Sequence, residues 1–304
     1  MKKSRSTSQW MLDGLMVSLL AAGALVLSAC ASLPEPQGPP RKENVLAVNE
    51  RMELLRFNAG QPGVILDRRP LRGLAAGERI VGIDFRVARG VLYALSQMGR
   101  LYTVDPARGD LRPVVGAPIG LPLPEPVVGF DFNPAADRIR LVLPNGINAR
   151  LHPDTGAMVD SNPDLAGTQT DGTLTYEAGD RHAGVRPQLV AAAYTYNKRD
   201  EKLTTNYAID RATGHLVMQG SLEGLVPVVS PNTGRLRSVG SLGLAAIADA
   251  AFDISDLDNT PLAAIRTTDS AQTALYLVDL ISGRAQRIGR IDDGSPIVGL
   301  AIEP

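Results

Sequence analysis

The chain has 304 residues, 44% hydrophobic, 21% charged and 4% aromatic, which is the composition of a soluble globular protein. A net charge of −1 provides no basic excess to neutralise a phosphate backbone, which argues against nucleic acid as the partner. A single cysteine excludes a disulfide framework, so the fold has to rely on its core.

The N-terminus reads as a targeting segment. Lys2, Lys3 and Arg5 make a basic start, and an apolar run from Leu15 to Leu27 follows that is too short for a typical membrane span. It ends in Leu27-Ser28-Ala29-Cys30, which resembles the lipobox of bacterial lipoproteins. That resemblance implies cleavage before Cys30, lipidation of its thiol and anchoring in the bacterial cell envelope. With Ala31 rather than an aspartate next, it implies the outer membrane. More than one acyl chain gives a stable anchor. Loss of residues 1–29 leaves 28 basic and 31 acidic residues, a net charge of −3. Residues 30–43, Cys30 and then "ASLPEPQGPPRKE", form a Pro-rich linker that spaces the domain from the membrane.

From Asn44 to the C-terminus the chain is a single repeating domain. "VGIDFRVARGVLYALSQMGRLYTVDPARGDLRPVVG", from Val81, aligns with "VGFDFNPAADRIRLVLPNGINARLHPDTGAMVD", from Val128. Each gives four short strands rich in Val, Ile, Leu, Phe and Tyr, separated by turns of Pro, Asp, Asn and Gly. The turn after the third strand recurs near Asn58, Asp105, His152, Ser230 and Asp279, at spacings of 47, 47, 78 and 49 residues. The long spacing marks an insertion at about 161–188, a candidate recognition loop. The first-strand marker falls at Asp84, Asp131, Thr195, Asp253 and Ala301.

The two series are out of phase. The first unit, roughly Asn44–Leu71, lacks a first strand, and "PIVGLAI", Pro296–Ile302, is a first strand with nothing after it. The arrangement that satisfies both is an all-β, five-bladed β-propeller of four-stranded antiparallel blades. Its ring is closed by the C-terminal strand docking into the N-terminal blade, which also hides a strand edge.

The motifs "VGIDFR", "LYALS", "GRLYTVDP", "GFDFNPAADRIRLV", "NARLHPDTG", "VAAAYTYN", "SPNTGRLRSVG" and "ALYLVDLISG" in this order resemble the bacterial family known as domain of unknown function 4394. The resemblance spans about residues 45–302 and implies an exported propeller-like protein with no assigned activity. His152 departs from the family pattern, which has Asn there.

G-x-S-x-G, H-E-x-x-H, Walker A and Cys-x-x-Cys motifs are all missing. His152, His182 and His215 fall in or beside turns in different places and read as surface residues. Since first strands line a propeller's axis, Asp84, Asp131, Thr195 and Asp253 form a candidate ring. Its acids either bond backbone amides of the next blade or hold a hard cation such as Ca²⁺, with Asn133 and Asn197 offering further oxygens. Arg138 and Arg140 share a strand face and are expected to neutralise the ring acids or, alternatively, to hold an anion. The sequence therefore reads as a monomeric, non-catalytic binding or scaffold module for an unidentified protein or small molecule, anchored through Cys30. The alternative is a Ca²⁺-dependent, lactonase-like propeller hydrolase with its site in the axis.

Overall fold

The computed structural model describes residues 35–116, 118–121, 123 and 128–304; Cys30 and the signal segment lie outside the described residues. The regular structure is all strand apart from single 3-10 turns at Val87–Arg89 and Pro231–Thr233.

The first blade contains β1 (Asn44–Asn49), β2 (Glu53–Asn58) and β3 (Ile65–Pro70). The second is β4 (Ile80–Arg86), β5 (Val91–Ser96), β6 (Leu101–Asp105) and β7 (Asp110–Pro113). The third has three strands, β8 (Gly129–Asn133), β9 (Arg138–Val142) and β10 (Asn148–Leu151), extended by one bridge between Leu151 and Met158. The fourth adds β11 (Thr175–Tyr176), which runs parallel to the outermost of β12 (Leu189–Tyr194), β13 (Asn206–Asp210), β14 (His215–Gln219) and β15 (Arg235–Ser241). The fifth is β16 (Ile247–Ile254), β17 (Pro261–Thr267), β18 (Thr273–Val278) and β19 (Ala285–Arg290).

The last strand, β20 (Ile297–Ile302), leaves the fifth blade and pairs antiparallel with β1, Val45 opposite Ile302 and Ala47 opposite Leu300. It is the inner strand of the first blade, so the first blade is built from both ends of the domain. The inner strands β20, β4, β8, β12 and β16 touch in a closed circle.

The repeated "VG" has a packing reason. A methyl group on Gly82 would lie 2.8 Å from the Phe130 side chain, one on Gly299 would lie 2.9 Å from the Ile83 nitrogen, and one on Gly129 would lie 2.9 Å from the Ala192 side chain. Neighbouring inner strands approach too closely for any side chain there. Every residue of β4, β12 and β20 is buried. These strands are covered on both sides by neighbouring blades, so they read as continuous apolar runs rather than alternating ones. Five apolar clusters fill the five blade interfaces; between the second and third blades, for example, Tyr93 and Leu95 meet Phe130 and Leu141.

The insertion at 161–188 forms part of the wall between the third and fourth blades. Besides β11, it supplies Asp171, whose carboxylate takes Arg140 at 2.6 Å and Arg150 at 2.8 Å. Residues 35–43, read from sequence as linker, lie along the domain. The Glu35 carboxylate takes the Arg287 guanidinium and the Arg290 amide, and Asn58 bonds the Arg41 backbone in both directions, at 2.8 and 2.9 Å.

Candidate functional site

The acids expected at the axis are there. Asp84, Asp131 and Asp253 occupy equivalent places on β4, β8 and β16, and one carboxylate oxygen from each lies within 4.8 Å of the other two. They are 3%, 3% and 6% exposed. Each carboxylate bonds the next blade. Asp84 accepts the Phe132 amide at 2.6 Å, Asp131 the Tyr194 amide at 2.9 Å, and Asp253 the Ile302 amide at 2.6 Å. Asp84 and Asp253 also accept the amide of the residue that follows them, at 2.7 and 2.6 Å. The third bond ties the closing strand into the ring.

Thr195 does not belong to this ring. The residue whose successor donates its amide to the acid of the preceding blade is Ala193, which pairs with Tyr207 as Asp84 pairs with Tyr93. Thr195 lies beyond the end of β12, where its hydroxyl bonds Glu223 and the Thr205 amide. The alignment slipped by two residues because "YTYN" offers a polar residue and the true position offers only a methyl group.

The arginines do not neutralise the ring either. The fully buried Arg140 turns outward to Asp171 and Asn148, at 2.6 and 2.7 Å, and to Asn232 and Tyr194. Arg138 bonds the Asp137 carbonyl. Burial, and then the charge of Asp253, raises Asp84 well above the usual carboxylate range. Burial, and then the charges of Asp84 and Asp253, does the same to Asp131. Burial pushes Asp253 to about 7. The cluster is therefore a store of repulsion that protons or a cation relieve.

The axis is not a pore. Below the acids, Ile83, Phe130, Ala192, Phe252 and Leu300 leave a space of about 10 Å³, no more than a single water needs. At the other end, where the inner strands finish, a cavity of about 420 Å³ opens. Arg86, Phe132, Asn133, Tyr196, Lys198 and Asp256 are among its lining residues. Tyr196 joins the two levels: burial and then the fields of Asp84, Asp131 and Asp253 raise its hydroxyl, so it stays protonated.

Asn133 and Asn197, expected to offer a cation further oxygens, line this mouth with those oxygens turned to backbone amides. Asn133 accepts the amides of Ala135 and Ala136, and Asn197 those of Arg199 and Asp200. Arg86, missed in the sequence, is clamped by Asp137 and by Asp154 at 2.5 Å. Its place two residues after Asp84 in "VGIDFR" was the available signal. Asp256 is raised by burial.

The histidines depart from the expectation of scattered surface residues. His182, from the insertion, and His215, from β14, meet edge to face with ring centroids 4.5 Å apart, beside Tyr176. His152 stays in its turn, its ring nitrogen accepting the Asp154 amide at 3.2 Å.

A closed five-bladed propeller with a plugged axis and a cavity over an acid ring defines the class of protein. The chain belongs to the family described as "Domain of unknown function (DUF4394)", which matches residues 53–301. No curated protein matches it. Among solved structures it is similar to the dihydro-heme d1 dehydrogenase NirN in complex with DHE, with 15% identity and a TM-score of 0.35. That match covers 87% of this chain and 47% of the other, so the chain spans about half the length of that protein. Hsv2 from Kluyvelomyces marxianus is similar at 10% identity and a TM-score of 0.33, over 85% of this chain and 73% of that one.

Proposed function

We propose that this propeller is a non-catalytic binding module of the bacterial envelope, anchored through a lipidated Cys30, that seats a small ligand in the mouth cavity. The observation that carries the reading is the 420 Å³ mouth lined by side chains already fixed in place, such as Arg86 between Asp137 and Asp154. Prepositioned polar groups around an apolar floor are the usual make-up of a small-molecule site. The test is a thermal-shift screen of a fragment library against the protein and against Ala88→Trp, which fills the mouth from an exposed position. Ligands that raise the midpoint of the parent and not of the variant support the reading. A library whose hits shift both equally sinks it.

The acid ring favours a second reading, a Ca²⁺ site and with it a lactonase-like hydrolase. Three carboxylates within 4.8 Å suit a hard cation, and the oxygens that accept amides keep a second lone pair. Asp84, Asp131 and Asp253 would hold the ion, which would supply Lewis-acid polarisation of a carbonyl. Metal-stripped protein is heated with and without Ca²⁺, and a ligand at a hundredfold excess over its dissociation constant adds about 2.7 kcal/mol. A rise in midpoint that disappears in Asp131→Asn, with lactone hydrolysis that follows it, promotes the enzyme. An unmoved midpoint ends the metal reading.

The envelope assignment rests on Leu27 to Cys30. Labelled palmitate is expected in the intact chain and not in Cys30→Ser, and an unlabelled intact chain refutes the anchor.

A further inference from the structure

The wall of the mouth cavity is made by β4, β8, β12 and β16 where they finish and by the turns that follow them, and each of these blades sets a charge there. Two cations, Arg86 and Lys198, face three carboxylates, Asp137, Glu201 and Asp256. Arg86 is satisfied within the wall, because Asp137 and Asp154 both hold it. One guanidinium between two carboxylates leaves that triplet net negative. Lys198 is exposed at the rim, where Asp256 feels its charge without an ion pair between them.

The polar groups that the wall leaves open to a ligand favour one sign. Asp256 is half-buried, makes no ion pair among the described residues and is raised by burial, as a carboxylate short of a counter-charge is. Tyr196 lines the same cavity. Its backbone is tied to Asn259 in both directions, but its hydroxyl has no hydrogen-bond partner among the described residues. The charges of Asp84, Asp131, Asp253 and Asp256 all bear on that hydroxyl. The ring contributes only through its ionised fraction, so the rim acids carry the field at neutral pH, and a cleft with low-dielectric walls focuses it. The remaining wall is apolar, with Val87, Ala88, Phe132 and Pro134. A neutral ligand gains nothing from the sign of this wall, and a carboxylate is repelled by it. A cation is attracted, and the aromatic rings of Phe132 and Tyr196 suit it as well.

We infer that the mouth selects a small organic cation, an ammonium or guanidinium group on a short apolar stem, with the head donating to the Asp256 carboxylate and the Tyr196 hydroxyl oxygen and the stem resting on Phe132 and Val87. The inference rests on the reading of the mouth as a small-ligand site, and its test separates the two.

Phenethylamine, 2-phenylethanol and 3-phenylpropionate share a stem and differ in the charge of the head. Each is titrated into the protein at neutral pH with ligand-observed NMR. The expected order of affinity is amine, alcohol, carboxylate, with the amine about tenfold tighter than the alcohol, the worth of one charge-assisted hydrogen bond. Asp256→Asn should close most of that gap. Lys198→Gln should widen it, because the ammonium it removes repels the ligand. Opposite effects of two rim changes do not arise from a damaged fold, and unchanged thermal midpoints check this. An alcohol or carboxylate that binds as tightly as the amine overturns the proposal. So does an amine whose affinity ignores both rim variants, or one that Ala88→Trp does not exclude, and so does binding of none of the three. If library hits are excluded by Ala88→Trp while the amine shows no preference, the cation assignment falls and the mouth stands as a site. If no hit depends on the mouth and no probe binds, both readings fall.

Discussion

Asp253 shows how one residue couples ring closure to pH. Its oxygens take the Ile254 and Ile302 amides, and burial lifts it to about 7 against about 4 in the unfolded chain. A raised folded value means that the folded state holds its proton longer. This contribution to stability is fully present below about 4 and is lost progressively as pH rises to and through about 7. Burial raises Asp84 and Asp131 in the same sense, so they add to this loss as pH rises. Asp137, held low by Arg86, runs the other way, its contribution being lost as pH falls through its folded value. The thermal midpoint is therefore expected to fall between pH 5.5 and pH 8.5. In Asp253→Asn the protein should be less stable at pH 5.5, by about 1–3 kcal/mol, because the amide nitrogen faces a backbone donor. Its slope with pH should be shallower than the parent's. A variant with an unaltered slope would remove Asp253 from this account.

The elements were legible where chemistry repeats along the chain and illegible where it is made in space. "VGxDF" announced the inner strands because close approach demands Gly82 and Gly129, and the interblade bond uses Asp84 and Asp131. The out-of-phase ends announced closure by β20. Blade four escaped this reading because Ala193 carries no mark. Arg140 escaped as well: its partners Asp171 and Asn232 are 31 and 92 residues away, and no local pattern reports such a contact. The same holds for His182 and His215, which meet only when β14 packs on the insertion. The insertion reads as an independent recognition loop from its length alone, whereas its Asp171 is a buried counter-ion. Arg140→Leu is accordingly expected to cost about 3–5 kcal/mol, since it strips a buried carboxylate of one of its two guanidinium partners. Arg140→Leu/Asp171→Leu should recover part of that loss in urea unfolding. A double variant no better than the single one would show that the pair is not coupled.

At the scale of the molecule, the ring is closed without a covalent bond. Removal of residues 296–304 would take out β20, expose the edge of β1 and leave Asp253 without the Ile302 amide. It would also open the apolar interfaces on either side, where Val298 packs with Ile83 and Leu300 with Ala251. One strand thus supports two blade interfaces and the axial acid ring at once, and losing it should not merely fray one blade. The truncated chain is expected to lack a cooperative thermal transition and to expose apolar surface to a hydrophobic dye. A synthetic peptide of residues 296–304 supplied in trans should restore the transition, because β20 contributes its pairing and burial without needing its link to β19. The Gly299→Val peptide should fail, since its Cβ would meet the Ile83 nitrogen at 2.9 Å. A truncated chain that still melts cooperatively would mean that four complete blades and the remnant of the first close by themselves, with β20 as an ornament on a ring already made.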